Sequence, residues 1–378
     1  MAEPLKNHFG ADVPRAIAAM VAAVFPAFPS KVFLHDVQAG YDALELMPRG
    51  RHIARALRRH LPADYPQAVE ILVASASQPS GRDPATGLAS FLFMPHCFFV
   101  AEYGLEHFEP SMQAQYQLTQ RFTAEFSIRP FLMHHTQATL DRLRLWASDP
   151  NEHVRRLVSE GSRPRLPWAP RLPAFQADPR PVLELLELLK DDPALYVRRS
   201  VANNLNDIGK DNPKLLMETA QRWLKDATPE REWVVCHALR WAVKQGDPAA
   251  LKVLGYGKTA RVEIRNAGIS PQRAAMGGSV TISFKVHNPK PRAQDVLVDF
   301  QVHYIKSNGG TNAKVFKMKS LQLAAGETVL LRKKLSLVEM TTRKHYAGMH
   351  VVEALVNGKL IPLGSFELLP APMPKTKS

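Results

Sequence analysis

The segments DPNEHVRR, residues 149–156, and DPALYVRR, residues 192–199, are the strongest indication of the fold of this chain. Each has an Asp-Pro pair and a Val-Arg-Arg triplet at the same internal spacing, and their first residues are 43 positions apart. A looser third copy runs from 224 to 235. Helix–turn–helix units of this length are typical of HEAT-like repeats. The spacing therefore predicts a solenoid in which Val-Arg-Arg begins the second helix of each unit, with arginines along one side, commonly the concave side.

Residues 1–257 carry apolar residues at three- and four-residue spacing, which predicts one amphipathic helix after another. Proline and glycine separate these segments and bound the helices. The predicted helices cover 41–61, 65–75, 94–103, 111–125, 129–146, 153–160, 180–190, 196–209, 213–224 and 233–245. We therefore predict an all-α HEAT-like helical repeat domain, an α-solenoid, over residues 1–257.

From Lys258 onward the apolar residues alternate with a period of two, which is typical of half-buried strands. Asn357-Gly358 lies between two such strands and predicts a type I′ hairpin turn. About seven short strands in about a hundred residues are typical of an immunoglobulin-like sandwich. The predicted strands cover 261–267, 279–287, 296–305, 313–321, 328–335, 348–355 and 360–368. We predict an all-β immunoglobulin-like sandwich over residues 258–370 and a disordered tail over 371–378.

The net charge of +14 is distributed unevenly along the 378 residues. Residues from Lys258 onward hold 19 Lys and Arg against 7 Asp and Glu, whereas residues 1–257 hold 30 against 28. The surplus therefore lies in the predicted sandwich, which favours a basic module that clamps DNA over a merely solubilising surface. The candidate DNA contacts in this module are Lys317, Lys319, Arg332, Lys333 and Lys334.

Cys97 and Cys236 show no ligand-like spacing and suggest no disulfide framework, which favours a reducing, cytoplasmic location. No stretch approaches the length of a membrane span. His134, His135 and His153 have no carboxylate or cysteine at metal-ligand spacing. We expect no metal, no cofactor and no membrane contact, and nothing in the sequence requires more than a monomer.

Three acidic residues stand where consecutive repeats could bring them onto one surface. Glu160 follows Arg156 by four residues, so both share one helix face. Asp207 lies in the predicted helix of the second Val-Arg-Arg, and Glu125 lies near the end of the predicted helix 111–125. Each acid also has a purely structural interpretation, because Glu160 could simply pair with Arg156, and Glu125 with Arg129.

Trp168 ends a proline-rich connection that also holds Arg163 and Arg165. Its indole could face a ligand, or it could fill the junction between two repeats, since tryptophans are usually buried. Asn203, one helical turn before Asp207, could contact DNA or satisfy backbone groups between repeats.

Several segments of the chain resemble the AlkC subfamily of the AlkC/AlkD HEAT-like-repeat DNA glycosylases. They are LKNHFG from Leu5, YDALELMPRGRHIARAL from Tyr41, TAEFSIRPFL from Thr123, WASDPNEHVRRLVSEGSRPRLPW from Trp146 and YVRRSVANNLNDIGKDNP from Tyr196. The resemblance covers nearly all of residues 1–250, and the run ending in RPRLPW is its most specific part. An immunoglobulin-like domain follows in part of the AlkC subfamily, in agreement with the predicted sandwich.

This resemblance implies a base-excision repair enzyme that acts on double-stranded DNA in the bacterial cytoplasm and nucleoid. Members of the family hydrolyse the N-glycosidic bond of cationic bases such as 3-methyladenine, and AlkC proteins are also associated with 3-methylcytosine. They use no cofactor and do not flip the base into a deep pocket. The implied active-site residues are Glu125, Glu160, Asp207, Arg156 and Trp168. The candidate DNA contacts in the helical domain are Arg155, Arg163, Arg165, Arg198, Arg199 and Asn203.

These residue types suit the chemistry of a cationic base, which leaves without being protonated. Carboxylates can stabilise the oxocarbenium-like sugar and place a water molecule. An indole face adds an attraction of about 0.5–2 kcal/mol to a cation, and arginines anchor phosphates. A lyase step would need a desolvated lysine in the site. We expect none there, and therefore a monofunctional glycosylase that tests the charge of the base rather than its shape.

Two other functions fit parts of the sequence. Most helical solenoids are binding platforms, so a non-enzymatic scaffold for nucleic acid or protein is the main alternative. The carboxylates argue against it, because an acid facing phosphate weakens binding unless it meets a cation. The second alternative is a hydrolase that acts on RNA.

Overall fold

The computed structural model describes residues 5–79, 89–256, 260–340 and 344–370. The described residues before 256 are helical, with short 3₁₀ turns at Leu5–His8, Tyr41–Ala43 and Ala89–Phe93. The helices are α1 Asp12–Val24, α2 Ser30–Gln38, α3 Leu46–His60, α4 Tyr65–Ser75, α5 Met94–Tyr103, α6 Phe108–Thr119, α7 Ile128–His134, α8 Thr136–Trp146, α9 Glu152–Gly161, α10 Pro173–Ala177, α11 Arg180–Leu189, α12 Leu195–Asp211, α13 Pro213–Leu224, α14 Pro229–Ala238, α15 Arg240–Lys244 and α16 Pro248–Val253.

The apolar pattern predicts α4, α5 and α13 with the bounds that the structure has. Other predicted helices are wrong. The helix predicted over 41–61 begins only at Leu46, and the helix predicted over 233–245 is divided at Leu239. The helix predicted over 111–125 ends at Thr119, and a turn follows in which the Ser127 hydroxyl donates to the Ala124 carbonyl at 3.1 Å. The helix predicted over 129–146 is interrupted at His135, whose ring is 2.9 Å from the Leu105 carbonyl oxygen. Polar side chains that bond to the backbone compete with the helix at both points.

The repeated Asp-Pro pair forms the same turn in both units. Asp149 Oδ1 accepts the Asn151 amide at 2.8 Å, and Asp192 Oδ1 accepts the Ala194 amide at 2.9 Å. Each aspartate thereby closes a turn and lies three residues before the first residue of its helix, α9 or α12. Helix α9 packs against α11 and α12, and α12 packs against α14. The echo seen in the sequence therefore corresponds to a repeated structural unit.

The first arginine of each Val-Arg-Arg also has a matching structural role. Arg155 donates to both carbonyl groups of its own Asp-Pro pair, at 2.8 and 3.0 Å. Arg198 does the same in the next unit, at 2.6 and 2.8 Å. Arg155 additionally pairs with Asp192 of that next unit at 2.6 Å. These arginines tie each turn to its helix and one repeat to the next.

The described residues from 263 onward form two sheets. The strands are β1 Glu263–Ser270, β2 Arg273–Ala275, β3 Ser279–His287, β4 Gln294–Ile305, β5 Thr311–Leu323, β6 Thr328–Ser336, β7 Gly348–Val356 and β8 Lys359–Leu369. One sheet has the order β1-β3-β6 and the other has the order β2-β8-β7-β4-β5. Alternate residues of β3 are buried, and they belong to a core shared with β4, β7 and β8. Seven of these strands overlap the predicted ones, while the three-residue β2 was missed.

The hairpin predicted at Asn357-Gly358 is confirmed, because φ is positive at both residues, 43° and 84°. Gly358 also lies close to the backbone of Gly246. A Cβ atom added at Gly358 would be 2.8 Å from the Gly246 carbonyl oxygen. A side chain at this position would therefore meet backbone, which explains why the turn uses Asn-Gly.

Tertiary contacts divide the chain into two units. The helical unit holds the residues up to Leu216 and Trp223–Ala238, and the other unit holds Met217–Arg222 and the residues from Leu239 on. The helices α15 and α16 therefore belong with the sandwich. The boundary predicted at residue 257 and the tail predicted over 371–378 lie outside the described residues. Among the described residues, no helix combines the length and apolar character that crossing a membrane requires.

Candidate active site

A cavity of about 410 Å³ opens in the helical unit. One part of its wall is charged and is formed by Glu125, Arg156, Glu160 and Arg163. The remainder is largely apolar or aromatic, with Met47, Phe91, Met94, Phe122, Phe126, Leu166, Pro167, Trp168 and Tyr196. A volume of this size is within the range of small-molecule sites. Four of the five predicted active-site residues, Glu125, Glu160, Arg156 and Trp168, therefore line one cavity.

Glu125 lies in the turn before α7 rather than in a helix. The Thr123 hydroxyl donates to Glu125 Oε2 at 2.9 Å, and Arg156 Nη1 lies 2.6 Å from the same oxygen. Arg156 also donates to the Thr123 hydroxyl at 2.9 Å. One hydroxyl therefore links the acid to the arginine, and both the hydrogen bond from Thr123 and the shortest ion-pair distance to Arg156 involve Oε2.

The turn that carries Glu125 is held against the end of α9. An added Cβ at Gly161 would lie 2.5 Å from Ile128 Cγ2, so only glycine allows this approach. One interpretation of the sequence paired Glu125 with Arg129. The structure does not show this pair. The guanidinium of the buried Arg129 instead donates to the carbonyl oxygens of Gly161 and Arg163, at 3.0 and 2.8 Å, and to that of Pro170. Burial and the nearby Arg163 lower the pKa of Arg129 to about 10.

Glu160 is buried and both its oxygens are occupied. Arg163 Nη1 lies 2.6 Å from Oε1, and the Ser200 hydroxyl donates to Oε2 at 2.6 Å. Arg156 Nη2 lies 3.6 Å from Oε1, so the predicted pair four residues apart exists but is the longer of the two ion pairs. Glu160 therefore belongs to a network of charges rather than to a single ion pair on the helix surface.

Asp207 stands behind the cavity rather than in its wall. Its side chain is 2% exposed. Arg163 lies between it and Glu160, with Nη2 2.7 Å from Asp207 Oδ2. Lys210 donates to Oδ1 at 2.8 Å. A lysine therefore lies beside this acid, but Lys210 does not line the cavity, so the expectation that the site holds no desolvated lysine stays a prediction.

The two arginines of the cavity wall are held in their charged form. Burial disfavours the charge of Arg163, but the carboxylates of Glu160 and Asp207 outweigh it and place its pKa above the usual value. The same balance, with Glu125 and Glu160 as the carboxylates, raises the pKa of Arg156. The guanidinium of Arg156 also stacks over the Tyr196 ring, 5.3 Å from its centroid. The carboxylates of this site therefore lie against guanidinium groups that keep their full positive charge.

Trp168 does not fill a junction between repeats, because 64% of it is exposed. Its φ of 64° is in the left-handed region, which a bulky residue rarely adopts. The connection is held on either side of it, since the Leu172 amide donates to the Pro164 carbonyl at 3.1 Å and Arg129 binds Pro170. Strain of this kind persists where the surroundings impose it, often at functional sites.

The predicted DNA contacts of the helical unit have different environments. Arg155 and Arg198 bond to their own turns, Arg163 is buried, and Arg165 pairs with Asp211 at 2.7 Å. Arg199 is exposed, and no ion pair to it occurs in the parts of the chain that the structure describes. Asn203 lies 3.3 Å from the His237 ring. Contact with DNA stays a prediction for all six, and the structure leaves Arg199 the most available.

The sequence analysis did not identify three residues that hold the site in place. Thr123 contacts Glu125, Tyr196 contacts Arg156, and Ser200 contacts Glu160. Thr123 carried a usable signal, because a threonine two residues before an acid at the end of a helix can form such a turn. Tyr196 and Ser200 carried none, since their contacts join α12 to α9 across 40 residues. Within the described residues, no group of three or more His, Cys, Asp and Glu is arranged to hold a metal ion.

The basic residues of the sandwich lie on the last strand of each sheet. Lys317 and Lys319 are on β5, Arg332, Lys333 and Lys334 are on β6, and these two strands contact each other. All five side chains are exposed. Desolvation raises the pKa of the buried Asp299 above its usual value, and the positive charge of Lys317 offsets part of this rise. The structure thus brings the five predicted residues to one edge of the sandwich.

Comparison with known proteins agrees with both halves of this architecture. Residues 263–370 match the family described as "Uncharacterised protein YhaZ, C-terminal Ig-like domain". The chain is 37% identical over 360 residues to the protein YhaZ of Bacillus subtilis (strain 168), covering 94% of this chain and 97% of that protein. It is 41% identical to the Pseudomonas fluorescens alkylpurine DNA glycosylase AlkC, solved bound to DNA containing an abasic site analog. That match covers 97% of this chain and 100% of the other, with a TM-score of 0.89.

The fold is therefore that of a HEAT-like-repeat protein with a C-terminal immunoglobulin-like domain. The chain belongs to the family of AlkC and YhaZ. The family and the fold class predicted from the sequence are both confirmed.

Proposed function

We propose that this protein is a monofunctional DNA glycosylase that releases cationic alkylated bases, 3-methyladenine and 3-methylcytosine, from double-stranded DNA. The observation that carries the proposal is that Glu125 and Glu160 line one cavity beside the exposed indole of Trp168. Two carboxyl groups and an aromatic face are the groups that a departing cation and a cationic sugar require. A scaffold protein would gain nothing from carboxylates in its binding surface.

The three acids have different freedom to act, which suggests different roles. Both oxygens of Glu160 and both oxygens of Asp207 accept hydrogen bonds or ion pairs. For Glu125 the hydrogen bond from Thr123 and the shortest distance to Arg156 both involve Oε2. We therefore assign Glu125 Oε1 to the attacking water, Glu160 to the stabilisation of the sugar cation, and Asp207 to the orientation of Arg163.

The reaction balances without a cofactor. The bond between the base nitrogen and C1′ breaks, and its electron pair moves into the base and cancels the positive charge there. The sugar becomes an oxocarbenium ion beside the Glu160 carboxylate. Water then forms a bond to C1′ and gives a proton to Glu125, leaving a neutral base and an abasic site. Neutral lesions should react poorly, because a neutral base has to gain a proton as it leaves, and the reaction proposed above supplies none.

Trp168 is assigned to the binding of the cation. Its exposed indole can attract a charged base or sugar by about 0.5–2 kcal/mol, depending on how far water is excluded. The proposal keeps the base outside a deep pocket, as the resemblance to AlkC implies. It also leaves Lys210 out of the chemistry, because this lysine is paired with Asp207 behind the wall, and a Schiff base would need a neutral amine in the cavity.

The sandwich is proposed to bind the phosphate backbone through the basic edge formed by β5 and β6. Lysine and arginine contacts to phosphate release counterions, so this part of the affinity should fall steeply with salt and show little sequence preference. We further propose that the protein acts as a monomer in the cytoplasm, on the nucleoid.

The decisive experiment is base release from duplex DNA treated with a methylating agent, with the freed bases identified by mass. The proposal requires release of 3-methyladenine or 3-methylcytosine and an abasic site in the DNA, without strand cleavage. A scaffold would bind the duplex and release no base. Release from methylated RNA but not from methylated DNA would point to the RNA hydrolase instead.

A further inference from the structure

Two rows of side chains run side by side from the cavity along α3 and α5. Met47 on α3 and Met94 on α5 both line the cavity. Four residues further along each helix lie Arg51 and Phe98, and the guanidinium of Arg51 is 4.8 Å from the centroid of the Phe98 ring. Residues four apart on a helix share a face, so both rows lead away from the cavity in the same direction.

The rows continue for two more turns. Arg51 and Arg55 both approach Glu102 of α5, each at 3.5 Å. The guanidinium of Arg58 lies 5.8 Å from the centroid of the Tyr103 ring at the end of α5. We call Arg51, Arg55 and Arg58 the α3 arginine row. Each four-residue step advances about 6 Å along the helix axis, so the row extends over about two turns.

A close approach of the two helices fixes the row. An added Cβ at Gly50 would lie 2.8 Å from Met94 Cε and 2.9 Å from Phe98 Cε2. Glycine at this position lets α3 lie directly against α5. The aromatic and carboxylate groups of α5 then hold the guanidinium groups at the surface.

The α3 arginine row keeps a net positive charge. The side chains of Arg51 and Arg55 are 42% and 61% exposed, and they share the single carboxylate of Glu102. Arg58 donates to the carbonyl oxygens of Pro62 and Ala63, at 3.0 and 2.7 Å, rather than to an acid. One negative charge therefore faces three positive ones, and exposed arginines at such spacing suit a chain of phosphates.

We propose that the α3 arginine row binds the phosphates of the DNA strand that leaves the cavity on this side. The inference rests on the proposed function, because the cavity defines where the lesion lies. It adds a contact surface that neither the repeated arginines nor the sandwich supplies. The row leads from the cavity in one direction only, so its contacts lie on one side of the lesion.

The test measures binding to a duplex with a central abasic-site analogue, which reports affinity without excision. In Arg51→Gln/Arg55→Gln, the loss of two phosphate contacts should make binding on the order of a hundredfold weaker at 50 mM salt. The ratio of wild-type affinity to variant affinity should fall by about twelvefold between 50 and 200 mM salt. Each contact contributes roughly 0.9 to the slope of log affinity against log salt. Arg51→Lys/Arg55→Lys keeps the charges and should keep the salt slope.

Two controls make the result specific. Arg142→Gln/Arg144→Gln removes two arginines of α8 that are also paired with acids, and it should bind like the wild type. Duplexes shortened on one side of the lesion locate the contacts. The Gln variant should match the wild type on one shortened duplex and remain weaker on the other.

Equal binding by the Gln variant and the wild type would overturn the inference, as would equal losses on both shortened duplexes. A loss of binding to single-stranded RNA but not to the duplex would also overturn it. The proposed function fails separately, if the wild-type protein releases no methylated base.

Discussion

In the helical unit the acidic side chains at the cavity lie against arginines, whereas the basic side chains on β5 and β6 of the sandwich are exposed. Arg156 and Arg163 hold Glu125, Glu160 and Asp207 at distances of 2.6 to 2.7 Å. In the described part of the sandwich no ion pair occurs at Lys319, Arg332, Lys333 or Lys334. The same residue types therefore do different work in the two regions.

The difference shows that charged side chains act over two distances, through short ion pairs in the cavity and through a long-range field on the sandwich. A buried pair acts over a few ångström, and its value depends on geometry and on the absence of water. An exposed cluster acts through its summed field on a polyanion, and its value depends on number and on salt. Substitutions in the cavity should therefore change chemistry and stability, and substitutions on the β5–β6 edge should change salt-dependent affinity.

The largest effect is expected for Glu125→Gln. The amide cannot take a proton from water, so excision of 3-methyladenine should fall by about 10³-fold, while affinity for DNA stays within a few-fold. Glu160→Gln removes the charge beside the sugar and should likewise abolish excision while leaving affinity within a few-fold. Single-turnover base release measures both variants. Glu109→Gln, which alters an exposed acid paired with Arg142, is the control. Wild-type rates in either cavity variant would remove that residue from the mechanism.

The next largest effect is expected for Arg163→Met, which should lower the free energy of unfolding. The change leaves the buried carboxylates of Glu160 and Asp207 without their shared counterion, which costs on the order of 3–5 kcal/mol of folding free energy. Urea unfolding measures the loss. Arg180→Met removes an arginine that is 74% exposed and paired with Asp178, and it should change the free energy of unfolding far less than Arg163→Met does. If the two variants lost equal stability, the contrast between buried and exposed pairs would be wrong.

A smaller effect is expected for Arg332→Thr/Lys333→Thr/Lys334→Thr. Each lost phosphate contact should lower the slope of log affinity against log salt by about 0.9. Excision at saturating protein should be unchanged, because no catalytic group is altered. Fluorescence anisotropy with duplex DNA between 50 and 200 mM salt measures the slope. Arg265→Thr/Arg273→Thr removes exposed arginines of the same unit that are paired with Glu263 and Glu367, and it should leave the slope nearly constant. An unchanged slope in the triple variant would contradict the proposed clamp.

The smallest effects separate the two arginines of the second Val-Arg-Arg. Arg198→Ala removes two bonds to the Asp-Pro carbonyls and should cost about 1–2 kcal/mol of stability. Arg199→Ala should leave stability within about 0.5 kcal/mol and weaken DNA binding modestly. Thermal unfolding and anisotropy on the same samples test both expectations. Stability losses of equal size would show that the triplet is not divided between structure and surface.

Much of the fold followed from local patterns. The period of the apolar residues predicted α4, α5 and β3 with the bounds that the structure has, because these elements need only one consistent face. The breaks at Thr119 and His135 escaped this reasoning, since the apolar pattern does not record side chains that bond to the backbone, such as Ser127 to Ala124 and His135 to Leu105. Likewise β2 is only three residues long and exists through its pairing with β8.

The candidate site divides in the same way. The sequence alone determined the residue types, the repeat that stacks α9 on α12, and the basic character of the last third of the chain, because these depend on composition and periodicity. Only the tertiary structure decided that Glu125 pairs with Arg156, that Asp207 is buried and pairs with Arg163, and that Trp168 is exposed. Such contacts join residues about 30 to 45 positions apart through side-chain geometry, which no local pattern along the chain encodes.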